Sequence, residues 1–228
     1  MSIEVKKISK SYDTNLVLNN INFNVAKGEI LGLLGINGAG KSTMLKMICS
    51  YIQPNSGQIF ICKKNIEKYT KYTKQKLGYL SENNPLYEDM YVIEFLRFIS
   101  NIYNLKESSI NNVIEQTGLK SIKNKKIKIL SAGQKKRIGI AQAIIHNPEV
   151  IILDEPTATL DPNQKQEIHN LIKKLGKNKA ILFSTHILEE AEKICDRIII
   201  IHKGNVIANK KTNEFNNRLN QIFKKLTN

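Results

Sequence analysis

Gly35-Ile36-Asn37-Gly38-Ala39-Gly40-Lys41-Ser42-Thr43 follows the apolar run Ile30 to Leu34 and leads into the amphipathic stretch Met44 to Ile48. A strand, a glycine-rich turn and a helix in that order read as a phosphate-binding loop. Glycines at 35, 38 and 40 let the backbone turn tightly with its N–H groups inward, Lys41 reaches outer phosphates, and the Ser42 hydroxyl suits Mg²⁺. The helix starting near Lys41 adds the positive end of its dipole to the same anion site. This stretch predicts an α/β fold that binds a nucleoside triphosphate.

The chain has 228 residues, 41% of them hydrophobic, enough for one domain or for one domain carrying a smaller inserted lobe. Cys49, Cys62 and Cys195 lack C-x-x-C spacing and a nearby His pair, so they read as reduced thiols rather than metal ligands or bridges. No run approaches the ~20 apolar residues of a membrane span, and Met1 to Lys6 lacks the apolar core of a signal peptide, which predicts a soluble chain. A formal net charge of +15 suits nucleic acid or an anionic membrane surface. The basic residues are nevertheless nearly all lysine, dispersed among Asn and Ile, with arginine only at 97, 137, 197 and 218. Base-reading surfaces favour arginine, so nucleic acid is not the expected partner.

Ile3 to Ile8 alternates as a strand, Val17 to Val25 contains another, and Tyr12 lies between them, either packing or stacking on a base. Gly57 to Ile61 is a further strand after the turn Pro54 to Gly57, followed by a helix from about Ile66 and a short strand, Leu77 to Leu80. From Glu82 to His146 the period turns helical, with Val92, Phe95, Leu96 and Ile99 on one face and Ile110, Val113 and Ile114 on another. Such a block between strand-bearing halves predicts an inserted helical lobe whose Met90, Tyr91, Phe95 and Phe98 serve its core or a partner surface.

Ser131 precedes a basic amphipathic run, Lys135 to His146, as an N-cap; with Gly133 it is also compatible with a second anion site at a helix start. Val150 to Leu153 reads as a strand buried on both faces and ends in Asp154-Glu155-Pro156. Ligands of open α/β sheets sit beyond the carboxyl ends of the strands. That places Asp154 to hold Mg²⁺ through water and Glu155 to orient or deprotonate a water facing the terminal phosphate. Asp161 caps a helix with Pro162 at its first position. The strand Ala180 to Ser184 ends in Thr185-His186, which puts His186 in the same crevice, whereas His146, His169 and His202 read as surface or loop residues. Arg197 to His202 and Asn205 to Ala208 predict a hairpin. The amphipathic tail, with Phe215, Leu219, Ile222, Phe223 and Leu226 on one side, is expected to dock on its own domain rather than on a membrane.

Taken in order, these pieces resemble the ATP-binding subunit of an ABC transporter, from Ile3 to about Ala208. Gly35 to Ser42 matches the Walker A motif, Leu130 to Gln134 the signature with Ala132 where glycine is usual, and Val150 to Glu155 the Walker B strand and catalytic glutamate. Asp161 matches the D-loop aspartate, His186 the switch histidine, and Tyr12 the adenine-stacking aromatic. Glu82 stands where the family usually has a Gln that senses Mg²⁺ and the attacking water, and a carboxylate still ligates Mg²⁺ through water.

The resemblance implies a P-loop NTPase core of ABC ATPase type with an N-terminal antiparallel β subdomain and an inserted helical subdomain. Residues 1–81 and 147–211 are the expected core, 82–146 the helical subdomain and 212–228 a C-terminal helix. ATP and Mg²⁺ are implied as ligands, with Asn37, Ala39 and Thr43 part of the phosphate loop. In the family ATP is sandwiched between two head-to-tail domains. With one copy of each motif, this chain is expected to form a dimer, a homodimer in the simplest case, in which Ser131, Gly133 and Gln134 serve the partner's ATP. A membrane permease docking beside Glu82 and the helical lobe is the second implied partner, on the cytoplasmic face of the inner membrane. Gly78 to Tyr87 looks like ABC-2 type exporters, including ATPases associated with bacterial gliding motility. The alternatives are a soluble ABC-type ATPase serving a cofactor-assembly scaffold, and a nucleic-acid-linked one, which the missing coiled-coil insertion and second cassette oppose.

Overall fold

The computed structural model describes residues 1–215 and 218–227, without the side chains of 226 and 227. β1 (Ile3–Tyr12) and β2 (Asn15–Val25) pair antiparallel, and β3 (Ile30–Leu34) runs into the glycine loop. α1 (Lys41–Ile48) starts on Gly40, whose φ of 103° and close approach to Leu18 and the Val17 carbonyl exclude a side chain. β4 (Ser56–Ile61) and β5 (Lys64–Asn65) follow. The helix expected from Ile66 begins only at α2 (Thr70–Lys76), because the Asn65 side chain first closes a turn by accepting the N–H groups of Glu67 and Lys68. β6 (Leu77–Leu80) leads through an irregular loop to α3 (Val92–Ile102), α4 (Glu107–Gln116), a short 3₁₀ turn and α5 (Ala132–Ile144). The rest is β7 (Val150–Asp154), α6 (Pro162–Gly176), β8 (Ala180–Thr185), α7 (Leu188–Ile194), the hairpin of β9 (Arg197–His202) and β10 (Asn205–Lys211), and α8 (Leu219–Thr227).

Two sheets result. An antiparallel sheet of order β2-β1-β4-β5 faces a sheet of order β10-β9-β3-β8-β7-β6, parallel except for the edge strand β10. The central strands are apolar on both faces because both are covered. Leu31, Leu33, Val150, Ile152 and Leu182 join the core shared with the antiparallel sheet and α1. Their neighbours Leu34, Ile151, Leu153, Ile181 and Phe183 join the core under the helices. That second core extends without a break to Phe95, Leu96, Val113 and Ile138 of the helical block.

The helical block is seated on β6 through α5, at a distance only glycine permits. A Cβ at Gly78 would stand 1.9 Å from the Ala143 carbonyl oxygen. Gly78→Ala is therefore expected to push α5 off the sheet and cost about 1–3 kcal/mol, read as a lowered midpoint in chemical denaturation.

Of the histidines read as surface or loop residues, His169 belongs to the interior, and His146 lies in the turn after α5. His169 is 4% exposed, because on α6 it lies beside Ile168 and one turn before Ile172, within the buried face. His146 is half-buried, stacks on Tyr103 with ring centroids 4.2 Å apart, and bonds the Leu77 carbonyl through Nε2 at 3.1 Å. The tail docks on its own domain: Phe215 and Leu219 are buried in the helix-side core with Ile222 and Phe223 packed against it, while the Leu226 side chain lies outside the described residues. No helix among the described residues is long and apolar enough to cross a membrane.

Candidate active site

Strand order brings together what lies far apart in sequence. β8 sits between β3 and β7, with Thr185 level with Leu34 and Ser184 level with Asp154, so the phosphate loop, His186 and Glu155 emerge along one edge. A cavity of about 370 Å³ opens there, lined by Val17, Asn37, Gly38, Gly40, Lys41, Ser42, Thr43, Glu82, Glu155, Ala158 and His186. The helix dipole of α1 and the loop N–H groups make this an anion site.

Lys41 is 6% exposed and donates from Nζ to the carbonyls of Gly35 at 2.7 Å and Ile36 at 3.3 Å. Burial pushes its pKa down, opposed by the charges of Glu155, Asp154 and Glu82. Glu155 Oε1 lies 3.9 Å from Nζ, and its Oε2 bonds His186 Nδ1 at 3.0 Å. The carboxylate thus sits between the Lys41 ammonium and the His186 ring.

Glu155 holds the left-handed backbone conformation, φ 47°, which is unfavourable for a residue with a side chain. Ser184 holds it there. The Ser184 hydroxyl accepts the Glu155 N–H at 3.0 Å and donates to Asp154 Oδ1 at 2.6 Å, fixing the Glu155 backbone and the Asp154 carboxylate through one buried oxygen. Asp154 is 3% exposed and is not among the residues lining the cavity; burial raises its pKa and Glu82 adds to the rise, while the Ser184 hydrogen bond opposes it.

Ser42, Asp154 and Glu82 offer only oxygen donors, and no cluster of three or more His, Cys, Asp or Glu suited to a metal exists among the described residues. That donor set fits Mg²⁺, which takes one or two carboxylates and fills its shell with phosphate oxygens and water.

Other expected site residues stand outside the cavity. Ser131 and Gln134 form a reciprocal capping box on α5, and Asp161 caps α6 by accepting the Gln164 N–H at 2.9 Å. Tyr12 is 47% exposed, with Lys10 Nζ 5.2 Å from its ring centroid. Gly35 and Ala39 shape the loop without lining the cavity.

Sequence reading missed Ser184, Val17 and Lys136. Lys136 is 8% exposed and donates from Nζ to the Glu82 carbonyl at 2.7 Å, joining α5 to the loop after β6; burial lowers its pKa. The signal was its spacing. Lys136 lies three residues from both Gly133 and Gly139 on the packed face of α5, where an ammonium requires an oxygen.

Residues 18–158 match the ABC transporter family. Nod factor export ATP-binding protein I of Burkholderia orbicola is 34% identical over 211 residues, 90% of this chain and 69% of that protein. A solved ATP-binding subunit of an ABC transporter has a TM-score of 0.89 at 30% identity, covering 100% of both chains. The cassette MJ0796, solved as a dimer in a post-hydrolysis state with ADP and Pi, has a TM-score of 0.82 at 27% identity, covering 92% of this chain and 98% of that one. With the phosphate loop, the two carboxylates and the histidine at one sheet edge, and these likenesses in sequence and fold, the chain belongs to the ABC transporter family as an ATP-binding, ATP-hydrolysing subunit.

Proposed function

We propose that this chain powers a membrane exporter of the ABC-2 type, of the kind that includes gliding-motility-associated ATPases, and that it works as a homodimer on the cytoplasmic face of the inner membrane. The observation that carries the dimer is the half-built site. One chain supplies the phosphate loop, Glu155 and His186 to the cavity, while Ser131 and Gln134 cap α5 outside it and Gly133 lies in the first turn of that helix, buried against Gln164. These three, with Asp161, would close over the partner's ATP, and the dimeric state of the MJ0796 cassette supports that arrangement. Tyr12, exposed at the end of β1, would stack on the adenine. Export is supported by the likeness to a Nod factor exporter and by the stretch Gly78 to Tyr87.

In this reading residues 1–81 and 147–211 form the core and 82–146 a helical subdomain, while the expected C-terminal helix is reduced among the described residues to a 3₁₀ turn, Thr212–Phe215, and α8. A coupling helix of the permease would dock beside Glu82 and the helical lobe, where Tyr51, Tyr79, Ser81, Asn84, Pro85 and Gln142 line a groove.

Hydrolysis follows from the contacts. Outer phosphates draw the Lys41 ammonium away from the Gly35 and Ile36 carbonyls. Glu155 accepts a proton from a water in line with the terminal phosphorus; the water oxygen bonds that phosphorus as its bond to the bridging oxygen breaks, and ADP leaves. His186 keeps the Glu155 carboxylate aimed through the 3.0 Å hydrogen bond. Ser42, Asp154 and Glu82 would hold Mg²⁺, the carboxylates through water, and the ion would supply positive charge to the phosphate oxygens. ATP drives closure only by binding the closed dimer more tightly than the open one.

The exporter reading is tested by purifying the tagged chain from detergent-solubilised membranes of its own cells. Recovery of a protein with several membrane-spanning helices is expected. Recovery of a soluble scaffold protein alone would overturn it.

A further inference from the structure

Glu190 on α7 is a carboxylate only 5% exposed, and it does not line the nucleotide cavity. Burying a carboxylate costs several kcal/mol unless it is hydrogen-bonded and paired, so its partners show what it holds. Oε2 accepts the Thr157 hydroxyl at 2.7 Å and the Thr185 hydroxyl at 3.2 Å. Both threonines are 1% exposed. Thr157 lies two residues after Glu155, and Thr185 immediately precedes His186. The Thr185 oxygen also accepts the Ile187 N–H at 3.0 Å, fixing the backbone on either side of His186.

The other oxygen, Oε1, faces α6. Lys165 Nζ lies 3.1 Å from it and His169 Nε2 4.0 Å. Neither ring nitrogen of His169 has a hydrogen-bond partner among the described residues, and burial lowers its pKa, so Lys165 is the countercharge. α6 is the helix capped by Asp161. One buried carboxylate therefore touches the loop after β7, the last residue of β8, next to His186, and the helix that begins after Asp161.

The 3.0 Å contact of Glu155 with His186 joins residues on two different loops, one of them in left-handed backbone. Ser184 fastens the loops at one point. The threonine pair on Glu190 fastens them at a second.

We propose that Glu190 is a positioning residue for ATP hydrolysis, which clamps the loop carrying Glu155 to the loop carrying His186 through Thr157 and Thr185 and joins both to α6 through Lys165. The proposal rests on the reading of Glu155 and His186 as the residues at the chemistry.

Thr157→Val removes the hydroxyl at nearly constant shape and leaves every cavity-lining side chain in place. In the full-length chain its kcat is expected to fall about tenfold with KM for ATP within about twofold, because misplacing a catalytic group costs rate rather than binding. Thr157→Ser, which keeps the hydroxyl, is expected to restore kcat to within about twofold of wild type. Glu190→Gln supplies the same kcat-against-KM comparison if Thr157→Val does not fold. The double variant is expected to lose less than the product of the single losses, as for residues acting through one contact.

Wild-type kcat in both single variants, equal movement of kcat and KM, or fully multiplicative losses would overturn the clamp. Glu155→Gln assayed in parallel separates the two claims. If it abolishes turnover while Thr157→Val and Glu190→Gln do not lower kcat, only the clamp fails; if it turns over normally, the reading beneath the clamp fails as well.

Discussion

ATP turnover by Glu155→Gln is expected to fall at least about a hundredfold while ATP binding is retained, since a positioned general base contributes roughly 10²–10⁴ in rate. The amide matches the carboxylate in size but cannot take the proton from water at neutral pH. The phosphate loop is untouched. Glu155 contributes its carboxylate to the cavity wall, 3.9 Å from Lys41, and the substitution leaves the loop N–H groups and the ammonium that are expected to hold ATP unchanged. Because closure is maintained by ATP and released by its loss, the variant is expected to accumulate as a dimer in ATP while the wild type returns to monomer. Phosphate release and light scattering after gel filtration read the two effects. Wild-type phosphate release would remove Glu155 from the chemistry, and a monomer in excess ATP would remove the sandwich.

Lys41→Met is expected to weaken ATP binding by about 10–100-fold, the equivalent of about 1.5–3 kcal/mol for a charge-assisted contact. The ammonium is held within the phosphate loop by two carbonyls, and burial already disfavours its charge, so it is placed to exchange those carbonyls for phosphate oxygens. Methionine fills the space without the charge. Its melting temperature without nucleotide is expected to stay within a few degrees of wild type, because loss of the Gly35 bond is offset by removal of a buried charge. Calorimetric titration with ATP and a thermal melt check both parts. Undiminished affinity would show that the backbone N–H groups alone hold the phosphates.

Much of the fold was legible because its signals are local. Apolar runs bounded by glycine or proline marked β3 and β7, the continuous apolar run Ala180 to Phe183 marked β8, and Asp161-Pro162 marked the start of α6, each decided by neighbours in sequence. The delayed start of α2 was not, since it depends on where one asparagine side chain turns. His169 was misread for a related reason: the periodicity of α6 locates a buried face, but not how far it extends once α7 packs against it.

The sequence alone determined that a phosphate loop, an acidic strand end and a histidine strand end belong to one α/β chain, because each is a contiguous motif whose chemistry depends on its own backbone. Only the tertiary structure decided that β8 lies between β3 and β7, so that Ser184 reaches Asp154 and Glu155 and His186 meets Glu155. It also left Ser131 and Gly133 outside the cavity of their own chain, and gathered Thr157, Thr185 and Lys165 on Glu190, next to the segments that carry Glu155 and His186. Strand order and the meeting of helix faces are contacts between residues far apart in sequence, and no local periodicity encodes them.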